Sequence, residues 1–196
     1  LLAELGHAPE DFYPFFRRRS QFTDLPLKGG QEARPDLESA FARLVALVEE
    51  AIPHLPAPGS KAPDRFGEQV AQTRHLLAYG GALTDGDRAT ALAQFAGKSA
   101  TAVTLNRWPR EAGDYARQLR DRDLPALQAE LEPLLRRWRQ YVYGIAAGLV
   151  DEAATEYGRQ RRAAGLVTFQ DLLERAAALL RANPAARRHL RERYRL

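Results

Sequence analysis

The sequence predicts an all-α protein: a multi-helix subdomain with one long helix of about 35–40 residues. Three observations carry this. Apolar residues recur at steps of three and four through most of the chain, and no stretch alternates with the two-residue period of a strand. Leu124, Leu127, Leu131, Leu134, Trp138, Tyr141, Ile145 and Leu149 form an a/d stripe that fades through Ala153 to Tyr157. Helix punctuation is explicit near the C-terminus, where Thr168 precedes Asp171 by three residues and Asn183 precedes Pro184.

Taken in order, Leu1 to Leu5 reads as a helix tail stopped by Gly6, and Glu10 to Arg19 as a short helix carrying Phe12, Phe15, Phe16 and the run Arg17-Arg18-Arg19. Lys28-Gly29-Gly30 is a loop. Pro35 to Ile52 is amphipathic, with Leu37, Phe41, Leu44, Val45 and Val48 on one stripe. Pro53 to Pro63 holds four prolines and Gly59, which exclude a helix. Asp64 to Tyr79 is a helix ended by Gly80-Gly81, Asp85 to Ala96 a shorter one, and Gly97 to Gly113 irregular. Asp123 is placed to cap the long helix, with Pro125 tolerated in its first turn and Pro133 either kinking it or marking its true start. Gly165 ends it. Phe169 to Ala182 then presents Leu172, Leu173, Ala176, Leu179 and Leu180 on one side, and a last helix runs from Pro184 through Arg193.

Composition narrows the function classes. A chain of 196 residues holds one sizeable core or two small ones. It has no cysteine, so disulfides and thiolate metal sites are excluded, and a cytoplasmic setting is expected. His7, His54, His75 and His189 are scattered without ligand spacing and read as surface or cap residues. No apolar run approaches the roughly 18 residues of a membrane span, and the N-terminus lacks signal-peptide features. The chain contains no methionine, begins at Leu1 and stops at Tyr194-Arg195-Leu196, which looks like the start of a strand; it therefore reads as an excerpt of something longer. Only Lys28, Lys61 and Lys98 are lysines; every other cation is arginine, which binds phosphate bidentately and stacks on bases. From Arg136 onward 13 arginines face 6 acidic residues, whereas the first 135 residues hold 16 cations against 19 acids. A basic C-terminal third suits an anionic partner, and equally a solvated arginine-rich helix surface.

Few motifs carry chemistry. Ala96-Gly97-Lys98-Ser99 lacks the glycine five positions earlier and the preceding strand that a phosphate loop requires. Leu149-Val150-Asp151-Glu152 resembles a magnesium-holding acidic pair but continues a helical pattern, so it reads as a solvated helix face. No nucleophile–base or paired-carboxylate arrangement follows from spacing. Trp108 between Arg107 and Arg110, and Trp138 among Arg136, Arg137 and Arg139, interleave an aromatic with arginines, as nucleic-acid-binding surfaces do. Trp138 lies on the apolar stripe and reads as a core anchor; Trp108 fits a stacking platform or a core anchor equally. Arg159, Arg161 and Arg162 are placed to meet DNA or to balance the helix dipole.

One stretch resembles a known family. Glu156-Tyr157-Gly158-Arg159-Gln160-Arg161-Arg162, then Gly165-Leu166-Val167-Thr168-Phe169-Gln170-Asp171-Leu172-Leu173, then Asn183-Pro184 and Leu190-Arg191-Glu192-Arg193-Tyr194, is similar to one place in the UvrD/RecB/AddA helicases of superfamily 1. There a long helix ends in a basic turn, a Gly-hydrophobic-(Thr or Asp)-Phe-Asp-Asp-Leu-Leu motif follows, and two helices lead to the Walker B strand. Gln170 departs from the motif's first aspartate, while Thr168, Phe169, Asp171 and Leu172 match. The resemblance covers about residues 154 to 196; earlier helices fit in kind as the insertion called the 1B subdomain. It implies residues 1–163 as a 1B-like insertion and 164–196 as the segment returning to the motor domain. It further implies a parent that is an ATP-driven 3′–5′ DNA helicase or helicase-nuclease, using ATP and magnesium that this stretch, without Walker A or Walker B, would not hold. Its partners would be duplex or junction DNA and the remaining helicase domains, contacted without sequence specificity. The alternative is a free-standing all-α regulator or scaffold that dimerises through the long helix.

Overall fold

The structure, a computed structural model, describes residues 2–22, 27, 32–56, 63–78, 81–98 and 101–194. Among them every regular element is helical and no strand occurs. The loop read at Lys28-Gly29-Gly30, the middle of the proline-rich linker, Tyr79-Gly80, Ser99 and the strand start at Arg195-Leu196 lie outside the described residues. The chain divides into two compact units, Leu1–Asp11 with Lys28–Ala146, and Phe12–Leu27 with Ala147–Leu196. The sequence places its boundary at 163/164 instead. The contact division falls earlier because α1 (Tyr13–Gln21) is bonded to the C-terminal part of the long helix, as described below.

In the first unit, α2 (Leu37–Ala51) begins at Asp36, whose carboxylate accepts the Ser39 N–H at 3.0 Å. It buries Leu37, Ala40, Phe41, Leu44, Val48 and Ala51, with Val45 only half-buried at the edge of the stripe. A 3-10 turn, Ile52–His54, extends it into the proline-rich stretch, because a proline in the first turn of a helix needs no N–H partner. Asp64 caps α3 (Arg65–Ala78) by accepting the Gly67 N–H, and Thr84 with Asp87 forms a capping box on α4 (Asp85–Ala96). Gly6, left-handed at φ 79°, crosses Gly86 of α4 so closely that a Cβ on Gly86 would lie 2.6 Å from the Gly6 Cα. Backbone approaches backbone here, which only glycine permits.

The stretch from Gly97 to Gly113 is less irregular than its sequence suggests. It holds two 3-10 turns, Leu105–Arg107 and Arg110–Ala112, tied to α3 through Asp64. This carboxylate, 3% exposed, accepts the Thr104 N–H at 2.8 Å and the Trp108 indole N–H at 2.7 Å. With the Gly67 bond, three donors solvate a buried carboxylate.

The long helix is present but starts earlier than Asp123. α5 (Gly113–Gln118) runs through a π-turn at Leu119–Asp123 into α6 (Leu124–Ala163), 40 residues long. Asp123 is therefore interior rather than a cap. The wide turn has a physical cause: Pro125 has no N–H to donate and its ring crowds the carbonyl four residues back, and a π-turn relieves both. Pro133 lies inside α6 and neither begins nor ends it. Leu131 and Leu135 on either side are buried, so packing holds the helix through its missing bond. The buried stripe also departs from the heptad. It runs Leu124, Leu131, Leu135, Trp138, Val142, Ala146, Val150, Ala154, while Tyr141 and Ile145 are half-buried and Leu149 is 38% exposed. A helix of 3.6 residues per turn drifts off a seven-residue repeat unless it supercoils, and this stripe follows the straight period.

In the second unit, α1 meets the end of α6 through the Phe16 and Tyr157 rings, edge to face at 5.7 Å, and through an Arg19–Asp151 ion pair at 2.6 Å. Asp151 is thus a pairing residue and more than a solvated surface. Gly165, at φ 72°, closes α6 in a Schellman motif in which Leu166 N–H reaches the Arg161 carbonyl and Gly165 N–H the Arg162 carbonyl. α7 (Phe169–Ala182) starts with the Thr168–Asp171 capping box, and α8 (Pro184–Tyr194) with the Asn183 side chain accepting from Ala185 and Ala186. Neither helix contains a buried residue. Among the described residues no helix is long and apolar enough to cross a membrane.

Candidate nucleic-acid interface

The Schellman turn and the capping box that follows it reverse the chain within five residues, so the start of α7 returns beside the end of α6. Between these and α1 lies a groove of about 460 Å³ in the second unit. α6 contributes Tyr157 and Arg161; Thr168, Phe169 and Gln170 come from the turn and α7; Tyr13, Phe16, Arg17, Ser20 and Gln21 come from α1. Three rings are open to a ligand, with Phe169 75%, Tyr13 63% and Tyr157 46% exposed.

Electrostatics are set by Asp171. Its Oδ2 accepts from the Thr168 N–H at 2.7 Å and hydroxyl at 2.8 Å, and its Oδ1 accepts from Arg161 Nη2 at 2.6 Å. The Thr168 backbone bond is the first cause that holds its carboxyl below the ordinary value, and the Arg161 charge adds to it. Arg161 lies over the Tyr157 ring at 5.5 Å, and its Nε is buried without a hydrogen-bond partner. The exposed Arg17 guanidinium, three exposed rings and the Ser20, Gln21 and Gln170 side chains make a surface that can stack on planar groups and bind phosphate oxygens, with Arg161 held behind it by Asp171.

The structure sorts the residues singled out from the sequence. Trp108 is corrected: at 4% exposure, bonded to Asp64 and packed 6.1 Å from Phe66, it is a core anchor with no free face for a base. The reason is the buried Asp64 carboxylate, which draws the indole N–H inward. Arg107 donates to the Pro63 carbonyl at 2.8 Å, and Arg110 is exposed. Trp138 is buried beside Tyr141, as the stripe suggests. Arg136, Arg137 and Arg139 are exposed; Arg136 is 3.9 Å from Glu132, and Arg137 lines a polar cleft of about 460 Å³ with Arg43 and Glu130. All of these belong to the first unit.

In the second unit, Arg159 is bonded bidentately to Glu156, and Arg162 is exposed. Of the residues named beforehand, the groove gathers Arg161, Thr168 and Phe169. Asp171 acts from behind as cap and ion-pair partner, and Leu172 is 56% exposed on α7. The contributions of Tyr13, Phe16 and Arg17 were missed. Their signal was the same interleaving of aromatics and arginines noted around Trp108 and Trp138, here in a helix far away in sequence.

α4, a helix, leads into Gly97 and Lys98, so no strand precedes that segment. Among the described residues no group of three or more His, Cys, Asp or Glu could hold a metal ion. Comparison with protein-family models, with curated proteins and with solved structures found no match for this chain, so the family reading rests on its own residues.

Proposed function

We propose that this chain is a DNA-contacting helical subdomain of an ATP-driven 3′–5′ helicase or helicase-nuclease of the UvrD/RecB type, meeting duplex or junction DNA without reading sequence. The observation that carries the reading is the groove built on the Gly165–Leu173 motif, where open aromatic rings stand beside Arg17 and Arg161. Stacking on an aromatic ring is worth about 1–3 kcal/mol per base and tolerates any base. Guanidinium contacts to phosphate likewise carry no sequence information. Within this chain the residues bind and orient a strand; ATP hydrolysis would belong to other domains of the parent. Most of the long helix's apolar stripe, from Leu124 to Ala154, packs within the chain, which favours this reading over dimerisation through that helix.

The test is fluorescence anisotropy of the whole 196-residue chain with a single strand, a duplex and a single/double-strand junction at about 50 and about 200 mM salt. Binding that weakens steeply with salt, and that Phe169→Ala with Arg17→Gln reduces about tenfold, is expected. Absence of binding to all three DNAs at low salt would overturn the reading.

A further inference from the structure

Three of the eight arginines picked out by their position in the sequence are paired with acids of the same chain. Arg136 faces Glu132, Arg159 is clamped by Glu156, and Arg161 by Asp171. α8 is different. Arg187, Arg188, Arg191 and Arg193 are all exposed within eleven residues, and among the described residues none of them makes an ion pair. Glu192, the helix's single acid, leaves it a net charge of +3. Arg187 reaches only the Arg181 carbonyl, at 3.3 Å, and Arg193 lies over the Tyr194 ring at 5.9 Å. Such cations retain their full charge for an outside partner, whereas a neutralised one must first break a pair.

We infer that α8 is a phosphate-backbone contact for nucleic acid, separate from the α7 groove and formed by Arg187, Arg188 and Arg191. This inference rests on the DNA-contacting reading and adds a second surface to it. The three arginines sit at three- and four-residue spacing, hence on one side of the helix, and Arg187 and Arg191 are about 6 Å apart along its axis. That is close to two phosphate steps along one strand of a duplex, at roughly 3.4 Å each. Guanidinium forks fit phosphate oxygens bidentately. The large apolar side chains of α8 are only Leu190 and Tyr194, too few for the broad apolar face by which a helix enters a lipid interface.

The experiment compares the whole chain with Arg187→Gln/Arg188→Gln/Arg191→Gln, using a labelled 20-nucleotide single strand, its duplex and vesicles of anionic phospholipid. Helix content and melting are checked first, and exposed arginines at these positions are expected to leave both unchanged. Losing three phosphate contacts should lower the slope of log affinity against log salt by about 2 for the single strand and nearly 3 for the duplex, with at least a tenfold loss of affinity at low salt. An unchanged slope in the triple variant overturns the α8 contact. If Phe169→Ala still weakens binding in that case, the groove reading survives alone. Wild-type chain that binds neither DNA overturns both readings, and loss confined to vesicle binding overturns this one in favour of a lipid surface.

Discussion

The two units of this chain are built by different rules. The first closes on itself: α2, α3, α4 and the start of α6 bury Leu44, Val48, Phe66, Leu92 and Phe95 completely, and even its irregular connection is anchored by a buried carboxylate. The second has α6 as its one well-buried element, while α7 and α8 bury no residue and expose Phe169, Leu172, Leu173 and Leu179. Its local geometry is nonetheless tightly specified, with a Schellman stop, a complete capping box and an Asn cap in succession. The first unit is thus held by burial and the second by caps and ion pairs. Caps contribute about 1 kcal/mol each, a core side chain several times that. The units should therefore melt separately, and both tryptophans report on the first alone.

The largest effect is expected at Trp108. Replacing it by alanine removes a buried ring and leaves the Asp64 carboxylate short of one of three donors, so about 3–5 kcal/mol of the first unit's stability should go. Trp138 fluorescence would follow that transition in urea. A loss below 1 kcal/mol would mean that the interior of the first unit is as loosely held as the second. Next is Gly86→Ala, where the new methyl group meets the backbone of Gly6. About 1–3 kcal/mol of overpacking cost is expected, again in the tryptophan transition only. If the same substitution shifts α7 amide exchange, the units are not independent.

These two positions also show what could be read from the sequence. The long helix, the α7 capping box, the Asn183-Pro184 start and the Gly165 stop were legible because each depends on residues within a few positions of one another, whereas α5 was not read at all. The Asp64–Trp108 bond spans 44 positions and the Gly6–Gly86 crossing 80, and neither residue of either pair announces the other. The same limit hid α1's share of the groove. Register along α6 failed for a different reason: heptad and 3.6-residue stripes agree over two turns and diverge over ten, so Leu149 was assigned inside and Val150 was not. Pro125 was read as a first-turn residue because a π-turn carries no sequence signal of its own.

In the second unit, Asp171→Ala should be the most damaging single change. It removes the Asp171 half of the α7 capping box, worth about 1 kcal/mol, and leaves Arg161 half-buried without its carboxylate. The expected outcome is faster amide exchange throughout α7 with an unchanged tryptophan transition. Asp171→Asn separates the two contributions, since it keeps a capping acceptor and loses the charge. Loss of DNA binding with unaltered exchange would instead give Asp171 a direct contact with the ligand.

The smallest effect concerns Glu156, whose pairing with Arg159 and Gln160 is the surface counterpart of the Arg161–Asp171 pair. Hydrogen bonds from Arg159 first, then Gln160, hold its carboxyl down at about 2. The folded value lies below the ordinary carboxylate value of about 4.3, so the folded state binds this proton less readily than the unfolded chain does. Its stabilisation is complete above about pH 4.5 and disappears as pH falls through about 2. Because the side chain is exposed, salt should screen most of it. Circular dichroism of the chain between pH 5 and 2 at low salt should show helix loss that is shallower in Glu156→Gln, and the difference should vanish in high salt. The Asp36 and Asp87 caps of the first unit are held low in the same way, so both units lose cap strength in acid. Only the second lacks a buried core around its C-terminal helices to compensate, and its helices should therefore be the first to go.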